Sequence, residues 1–165
     1  MEYFSKIYQS SVGPLLLISD ENNLCMLKFY QPERNFSRYF YKKKINNFSN
    51  KLIDKSIIQL DEYFLGKRRK FDIPIKYIYG TDFQKKVWNE LKNVEYGKTK
   101  SYSDIAKSIK NPKAYRAVGN ANNKNPISII VPCHRIISNI GDISGYGGGI
   151  EKKKFLLSLE LKAKL

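Results

Sequence analysis

Ser101-Tyr102-Ser103-Asp104-Ile105-Ala106-Lys107-Ser108-Ile109-Lys110-Asn111-Pro112-Lys113-Ala114-Tyr115-Arg116-Ala117-Val118-Gly119-Asn120-Ala121 reads as two short helices with almost nothing between them. Ser101 and Asp104 have the spacing of a capping box, with Asp in place of the usual Glu. Behind that cap, Tyr102, Ile105, Ala106 and Ile109 fall on one helical face. Asn111 then stands as an N-cap before Pro112, whose missing N–H costs nothing at the first helical position. Ala114, Ala117, Val118 and Ala121 repeat the spacing, which gives a helix-turn-helix. Opposite that small apolar stripe lie Lys113, Arg116, Asn120 and Lys124, donors suited to a phosphate backbone or a groove.

The charge around this pair agrees with that face. The chain of 165 residues has 30 Lys+Arg against 15 Asp+Glu, for a net charge of +15. The window from Lys98 to Arg135 holds eight basic residues and a single acid, Asp104. Such a local excess points to a polyanionic partner. A Lys- and Asn-rich composition would make every surface basic, but it does not explain the concentration here. Double-stranded DNA is the partner this reading selects.

Working outward, Phe83, Val87, Trp88 and Leu91 form the stripe of a helix that opens the second half at Thr81-Asp82. The first half reads as a sheet with a helix. Tyr3 to Tyr8, Leu15 to Ile18 and Leu24 to Phe29 are short apolar strands, the last two separated by the turn signal Asp20-Glu21-Asn22-Asn23. Leu52, Ile53, Ser56, Ile57, Leu60 and Phe64 have helical spacing, and Gly66 stops that helix. Lys67-Arg68-Arg69-Lys70 resembles a linker, and Phe71 to Tyr79 is expected to cross extended to the second half. The fold class is therefore α/β (α+β): an N-terminal α/β domain over residues 1–80, then a mostly helical domain over 81–165.

Chemistry concentrates in Ile129-Ile130-Val131-Pro132-Cys133-His134-Arg135-Ile136-Ile137. Its β-branched residues predict a buried strand that delivers a thiol and an imidazole to one place. His134 is the only histidine in the chain, so any imidazole base must be this one. A free thiol is a few per cent ionised at neutral pH, and a neighbouring histidine and arginine raise that fraction. Adjacent residues on an extended strand point to opposite sides. Either the backbone turns at Pro132-Cys133, or a water relays the proton; the relay is the favoured reading. The structural alternative is an inert core cysteine, the reading preferred for Cys25. The C-terminal segment from Ile150 to Leu161 reads as a helix with Phe155, Leu156 and Leu159 on its apolar side. Glu160 borders that stripe and could orient His134. Gly145-Tyr146-Gly147-Gly148-Gly149 reads as a wall where backbone N–H groups approach a flat ligand, with Tyr146 beside it.

Taken together, Arg116-Ala117-Val118-Gly119, Asn125-Pro126, Ile130-Val131-Pro132-Cys133-His134-Arg135, Gly145-Tyr146-Gly147-Gly148-Gly149 and Lys153…Leu156-Leu157…Glu160 strongly resemble the methylated-DNA–protein-cysteine methyltransferases, or O6-alkylguanine-DNA alkyltransferases. The match runs from Phe83 to Glu160, whereas residues 1–80 match only in length and strand–helix order. The resemblance implies a ribonuclease-H-like first domain and a winged-helix-like second one. It implies repair by direct reversal, with the alkyl group of a flipped O6-alkylguanine, and possibly O4-alkylthymine, passing irreversibly to Cys133. His134, Glu160, Asn125 and Tyr102 would complete the catalytic set. Arg116 would fill the gap left by the flipped base, with Tyr102, Lys113, Asn120, Lys124 and Arg135 on the DNA. Tyr146, Gly147, Ile136 and Lys153 would line the base pocket, where the carbonyls of Cys133 and Ile136 receive the exocyclic amine. Ser128 stands where some members carry proline, and Gly147 where some carry serine.

No cofactor is expected. No structural zinc is expected either, because Cys25 is the only cysteine, and no histidine occurs, in the first half. No apolar run approaches the length of about 18 residues that a membrane span needs, and the start lacks a signal-peptide pattern. A cytoplasmic monomer is the default. A non-catalytic helix-turn-helix DNA-binding protein, an alkyltransferase-like damage sensor and a Cys–His–Glu peptidase are the rival readings.

Overall fold

The computed structural model describes residues 2–32, 39, 40, 43–143 and 145–163. It divides into two compact units, Met1–Tyr79 and Gly80–Leu165.

In the first unit, strands β1 (Glu2–Ser10), β2 (Gly13–Ser19), β3 (Leu24–Phe29) and β4 (Lys44–Asn46) make one sheet in the order β3-β2-β1-β4. β1 pairs antiparallel with β2 and parallel with β4. Helix α1 (Lys51–Phe64) packs on β1 and β2 through Ile53, Ser56, Gln59, Leu60 and Tyr63. Its start is capped by the Asn50 side chain, which accepts from the Ile53 N–H. Gly66, at φ +72°, ends it as the sequence predicts. The buried stripe differs from the expected one by including Gln59 and Tyr63. The Gln59 amide earns its place by bonding both the N–H and the carbonyl of Asp72.

Two expectations for this unit are corrected. The Lys67–Lys70 stretch is folded back on α1, where Arg68 Nε donates to Glu62 at 2.5 Å. The segment after it does not leave the unit: Leu24 N–H donates to the Pro74 carbonyl and Lys76 N–H to the Leu24 carbonyl. Residues around Ile75 thereby add a bridge to the edge of β3.

The second unit begins with α2 (Asp82–Leu91), capped by a full Thr81/Gln84 box. Val87, Trp88 and Leu91 are buried, and the Trp88 indole N–H donates to the Ala121 carbonyl at 2.7 Å. A short strand β5 (Lys100–Ser101) leads into α3 (Tyr102–Ser108), with the Ser101/Asp104 capping box present in both directions. A 3₁₀ turn at Pro112–Ala114 precedes α4 (Tyr115–Asn123). Asn111 supplies no side-chain cap; its carbonyl accepts from the Ala114 N–H at 3.0 Å instead. The inner face of α4 is Val118, Ala121 and Asn122, while Ala117 is exposed. The expected alanine stripe is thus rotated by about one residue, because the 3₁₀ turn resets the phase before α4 starts.

The expected strand around Cys133 is the largest correction. Only Ile136–Ile137 forms a strand, β6, parallel to β5. From Asn125 to Arg135 the chain instead makes successive tight turns. Val131 N–H reaches the Ile127 carbonyl, Cys133 N–H the Val131 carbonyl, and Cys133–Arg135 is a 3₁₀ turn. Ile129 adopts φ +71°, left-handed backbone that a β-branched residue rarely enters. Asn125 outcompetes the strand by holding that backbone from the side. Its Nδ2 donates to the Val131 carbonyl at 2.8 Å and its Oδ1 accepts from the Ile127 N–H at 3.0 Å. Helix α5 (Ile150–Lys162) closes the unit.

Candidate active site

The reactive turn and α5 face each other through polar side chains. α5 buries Lys153, Leu156 and Glu160, while Phe155 is 41% exposed. Of the expected apolar side Leu156 is buried and Leu159 partly so, Phe155 turns outward, and Glu160, expected at its border, points in together with Lys153. Burial of this kind is sustained only by paired charges and filled hydrogen-bonding sites. Both conditions are met.

Glu160 is fully buried, and each of its oxygens takes two donors. Oε1 accepts from His134 Nε2 at 2.7 Å and from Arg135 Nη2 at 3.0 Å. Oε2 accepts from Arg135 Nε at 2.9 Å and from the Gly97 N–H at 3.0 Å. These bonds hold the carboxyl well below the usual carboxylate range, against the opposing effect of burial. An ionised carboxylate can only accept, so His134 carries its proton on Nε2. Its Nδ1 is buried and has no protein hydrogen-bond partner among the described residues. Burial is the largest cause depressing the basicity of His134; Glu160 pulls the other way, and the charges of Arg135 and Lys153 add to the depression. The imidazole is accordingly neutral, with an open lone pair.

Cys133 sits at the start of the 3₁₀ turn and is 4% exposed. The backbone does turn here, which is the alternative that the sequence reading placed second. The Cys133 carbonyl accepts from Asn122 Nδ2 at 3.2 Å and from the Ile136 N–H. Both of its lone pairs are thus engaged within the protein. Asn122, a residue the sequence reading missed, links the last turn of α4 to the nucleophile. Its signal was available: it lies on the Val118–Ala121 stripe. A buried amide at such a position needs partners.

Tyr102 and Lys153 complete the surroundings of Cys133. Tyr102 is the first residue of α3 and is half-buried. Burial first, and then the electrostatic interaction with Cys133, push its hydroxyl upward, so it keeps its proton at neutral pH. Lys153 is fully buried and its ammonium donates to the Ile136 carbonyl at 2.5 Å. Burial lowers its basicity and the interaction with Cys133 opposes that. Tyr146 is half-buried in the glycine loop, where Gly145 and Gly149 have φ +57° and +95°. A Cβ at Gly147 would lie 3.6 Å from the Asn123 carbonyl oxygen, which puts this loop beside the end of α4.

Of the residues expected on DNA, Lys113, Arg116, Asn120 and Lys124 are all exposed. Tyr115, 44% exposed, stands beside them with the Arg116 guanidinium 5.8 Å from its ring centroid. Tyr102 is half-buried, and Arg135 departs furthest from that surface. It is 6% exposed, holds Glu160 with two nitrogens and the Val94 carbonyl with the third, at 2.7 Å. Its guanidinium also lies 5.6 Å from the Tyr96 ring centroid. Arg135 is part of the buried site rather than of the groove-facing surface. Among the described residues no cluster of His, Cys, Asp and Glu could hold a metal ion, and no helix is long and apolar enough to cross a membrane.

A thiol backed by a buried His–Glu pair, carried on a unit that also presents a basic helix, defines a cysteine-nucleophile protein built around a helix-turn-helix. Comparison with known proteins narrows this. Residues 82–162 match the family described as 6-O-methylguanine DNA methyltransferase, DNA binding domain, and residues 3–77 match its ribonuclease-like domain. A methylated-DNA–protein-cysteine methyltransferase of Methanosarcina acetivorans is 45% identical over 159 residues, covering 93% of this chain and 96% of its own. One from Mycobacterium tuberculosis is 43% identical, covering 92% of this chain and 88% of its own. Crystal structures of the Mycobacterium tuberculosis O6-methylguanine methyltransferase and of OGT in complex with DNA superpose with TM-scores of 0.87 and 0.85. Their identities are 39% and 38%; they cover 98% and 99% of this chain, and the match spans 94% of each of those chains. The chain belongs to the methylated-DNA–protein-cysteine methyltransferase family.

Proposed function

We propose that this protein repairs DNA by moving the alkyl group of O6-alkylguanine onto Cys133, once per molecule. The observation that carries the reading is the fully buried His134–Glu160 pair, at 2.7 Å, directly following a nearly buried cysteine. A target base stacked in a duplex cannot reach such a thiol, so it must be flipped out. Arg116 on the exposed face of α4 is placed to enter the stack behind it, with Lys113, Asn120 and Lys124 on the phosphates. Tyr146, Gly147, Ile136 and Lys153 line the receiving side. The Ile136 carbonyl accepts from Lys153, and a carbonyl's other lone pair would receive the exocyclic amine.

His134 accepts the thiol proton on Nδ1 through a bridging water, and Glu160 holds the ring. The thiolate attacks the alkyl carbon in line, the C–S bond forms and the C–O6 bond breaks. The electron pair leaves on the base, which is neutralised by a proton from Tyr102. The products are S-alkylcysteine and guanine. A thioether carbon resists attack by water, so nothing in the site regenerates the thiol, and no cofactor enters the sequence. The protein acts as a monomer.

Incubation with a duplex containing O6-methylguanine, followed by intact-mass measurement, tests the reading. The expected result is one methylene added to the Cys133 peptide and a plateau at one repaired base per molecule. Cys133→Ala should bind the duplex and transfer nothing. Turnover beyond the plateau, or an unmodified Cys133 beside repaired DNA, would overturn it.

A further inference from the structure

We infer that Arg135 is a positioning residue for the transfer: by pairing with Glu160 through two nitrogens it keeps His134 neutral, fixes its proton on Nε2 and leaves Nδ1 open. This rests on the reading of Cys133 and His134 given above. A carboxylate facing a buried imidazole without another counter-charge would draw a proton onto the ring. The resting site would then hold an imidazolium that cannot accept the thiol proton. The fork of Arg135 removes that pull, because Nη2 shares Oε1 with His134 and Nε shares Oε2 with the Gly97 N–H. A guanidinium suits the task, since it is planar, permanently charged and bidentate toward carboxylates.

The arrangement around Arg135 leaves it little freedom. Its remaining nitrogen is held by the Val94 carbonyl at 2.7 Å, and its face lies against Tyr96. The stretch between α2 and β5 therefore grips the arginine from one side and Glu160, through Gly97, from the other. The charged groups facing His134 are Glu160 and Lys153 from α5 and Arg135 from its own turn, with the Cys133 thiol adjacent. Counting Arg135 and Lys153 as positive and Glu160 as negative, the neutral ring leaves one net positive charge. Ionisation of Cys133 cancels it, whereas an imidazolium would double it.

The single histidine makes the test direct. Imidazole ¹⁵N spectra of tag-free full-length protein report the protonation of each ring nitrogen as pH is lowered. For the unaltered protein the expected spectrum is Nε2 protonated and Nδ1 bare at pH 7. In Arg135→Met the imidazolium midpoint should rise by about one pH unit or more, with single-turnover repair at pH 7 falling about tenfold or more. Arg135→Lys, which keeps the charge, should restore most of the midpoint. Glu160→Gln should leave no imidazolium in the neutral range. An imidazolium at pH 7 in the unaltered protein would overturn the inference, and so would an unmoved midpoint in folded Arg135→Met. If Arg135→Met does not fold, the unaltered spectrum and Arg135→Lys still decide it. These spectra do not depend on repair, so failure of the alkyl-transfer reading would register separately in the mass measurement.

Discussion

Replacing Asn125 by alanine should cost about 3 kcal/mol of folding stability and disable transfer while sparing DNA binding. The Asn125 side chain bonds the Val131 carbonyl at 2.8 Å, the Ile127 carbonyl at 3.4 Å and the Ile127 N–H at 3.0 Å, all of them buried. Both carbonyls keep another donor, since Cys133 N–H reaches Val131 and Val131 N–H reaches Ile127. The Ile127 N–H is the group that loses its Asn125 acceptor. An orphaned buried donor costs about 1–3 kcal/mol, and each lost bond contributes about 1 kcal/mol net. The brace also holds Ile129 at φ +71°, a conformation that costs an L-residue roughly 1–2 kcal/mol. Once released, Ile129 should relax and carry the Cys133 turn with it. The exposed face of α4 owes nothing to Asn125, so duplex affinity should change less than threefold. Urea unfolding, single-turnover repair and duplex binding at fixed salt measure the three effects. A stability loss under about 1 kcal/mol together with an unchanged repair rate would refute the claim that Asn125 sets the reactive turn.

Three further outcomes follow from the same coordinates. Gly119→Ala should stabilise the protein by about 0.5–1 kcal/mol. The added Cβ on α4 would lie 3.7 Å from the Tyr102 ring of α3, an ordinary contact, whereas Gly80→Ala would put one 2.5 Å from the Trp88 ring at φ +107° and should destabilise strongly. Stability should fall with acidification in two stages. His134 is held below its ordinary value, so its contribution is complete above about pH 6.5, the unfolded value, and is lost as pH falls below that. Glu160, also depressed, adds a second loss below about pH 4.3; urea midpoints at pH 7.5, 5.5 and 4 should therefore decline at each step, and a flat profile between 7.5 and 5.5 would contradict the neutral, buried imidazole. Arg116→Ala should slow repair on duplex by about tenfold or more while single-stranded repair changes little, and equal loss on both substrates would remove Arg116 from base flipping.

Much of this site could be read from residue order, and the parts that could not share one cause. The capping box at Ser101 and the exposed donors of α4 depend on neighbours within a few positions, so local spacing was enough. Cys133 and His134 stand out because Pro-Cys-His-Arg interrupts an apolar run, and the structure buries both in one turn. The strand expected for that run failed because its β-branched residues are buried by turns that Asn125 imposes from outside the run. Periodicity cannot register a side chain that captures backbone six residues away. Arg135 was assigned to DNA for a similar reason. Counting charge treats every arginine as surface, and only the pairing with a carboxylate 25 residues later withdraws it.

Helix α5 carries that lesson into function. Its outer side carries Phe155, 41% exposed, and Leu161, 57% exposed, while Lys153 and Glu160 are fully buried. A helix chosen for stability alone would have the reverse arrangement, because buried ion pairs rarely outdo packed hydrocarbon. What the inversion secures is a fixed field around one sulfur atom. Glu160 accepts from the His134 ring, Arg135 pairs with Glu160 through two nitrogens, and Lys153 brings a further positive charge near Cys133. A thiol used once cannot be improved by turnover, so its reactivity must be complete before the substrate arrives. The polar face of α5 is how this chain arranges that in advance.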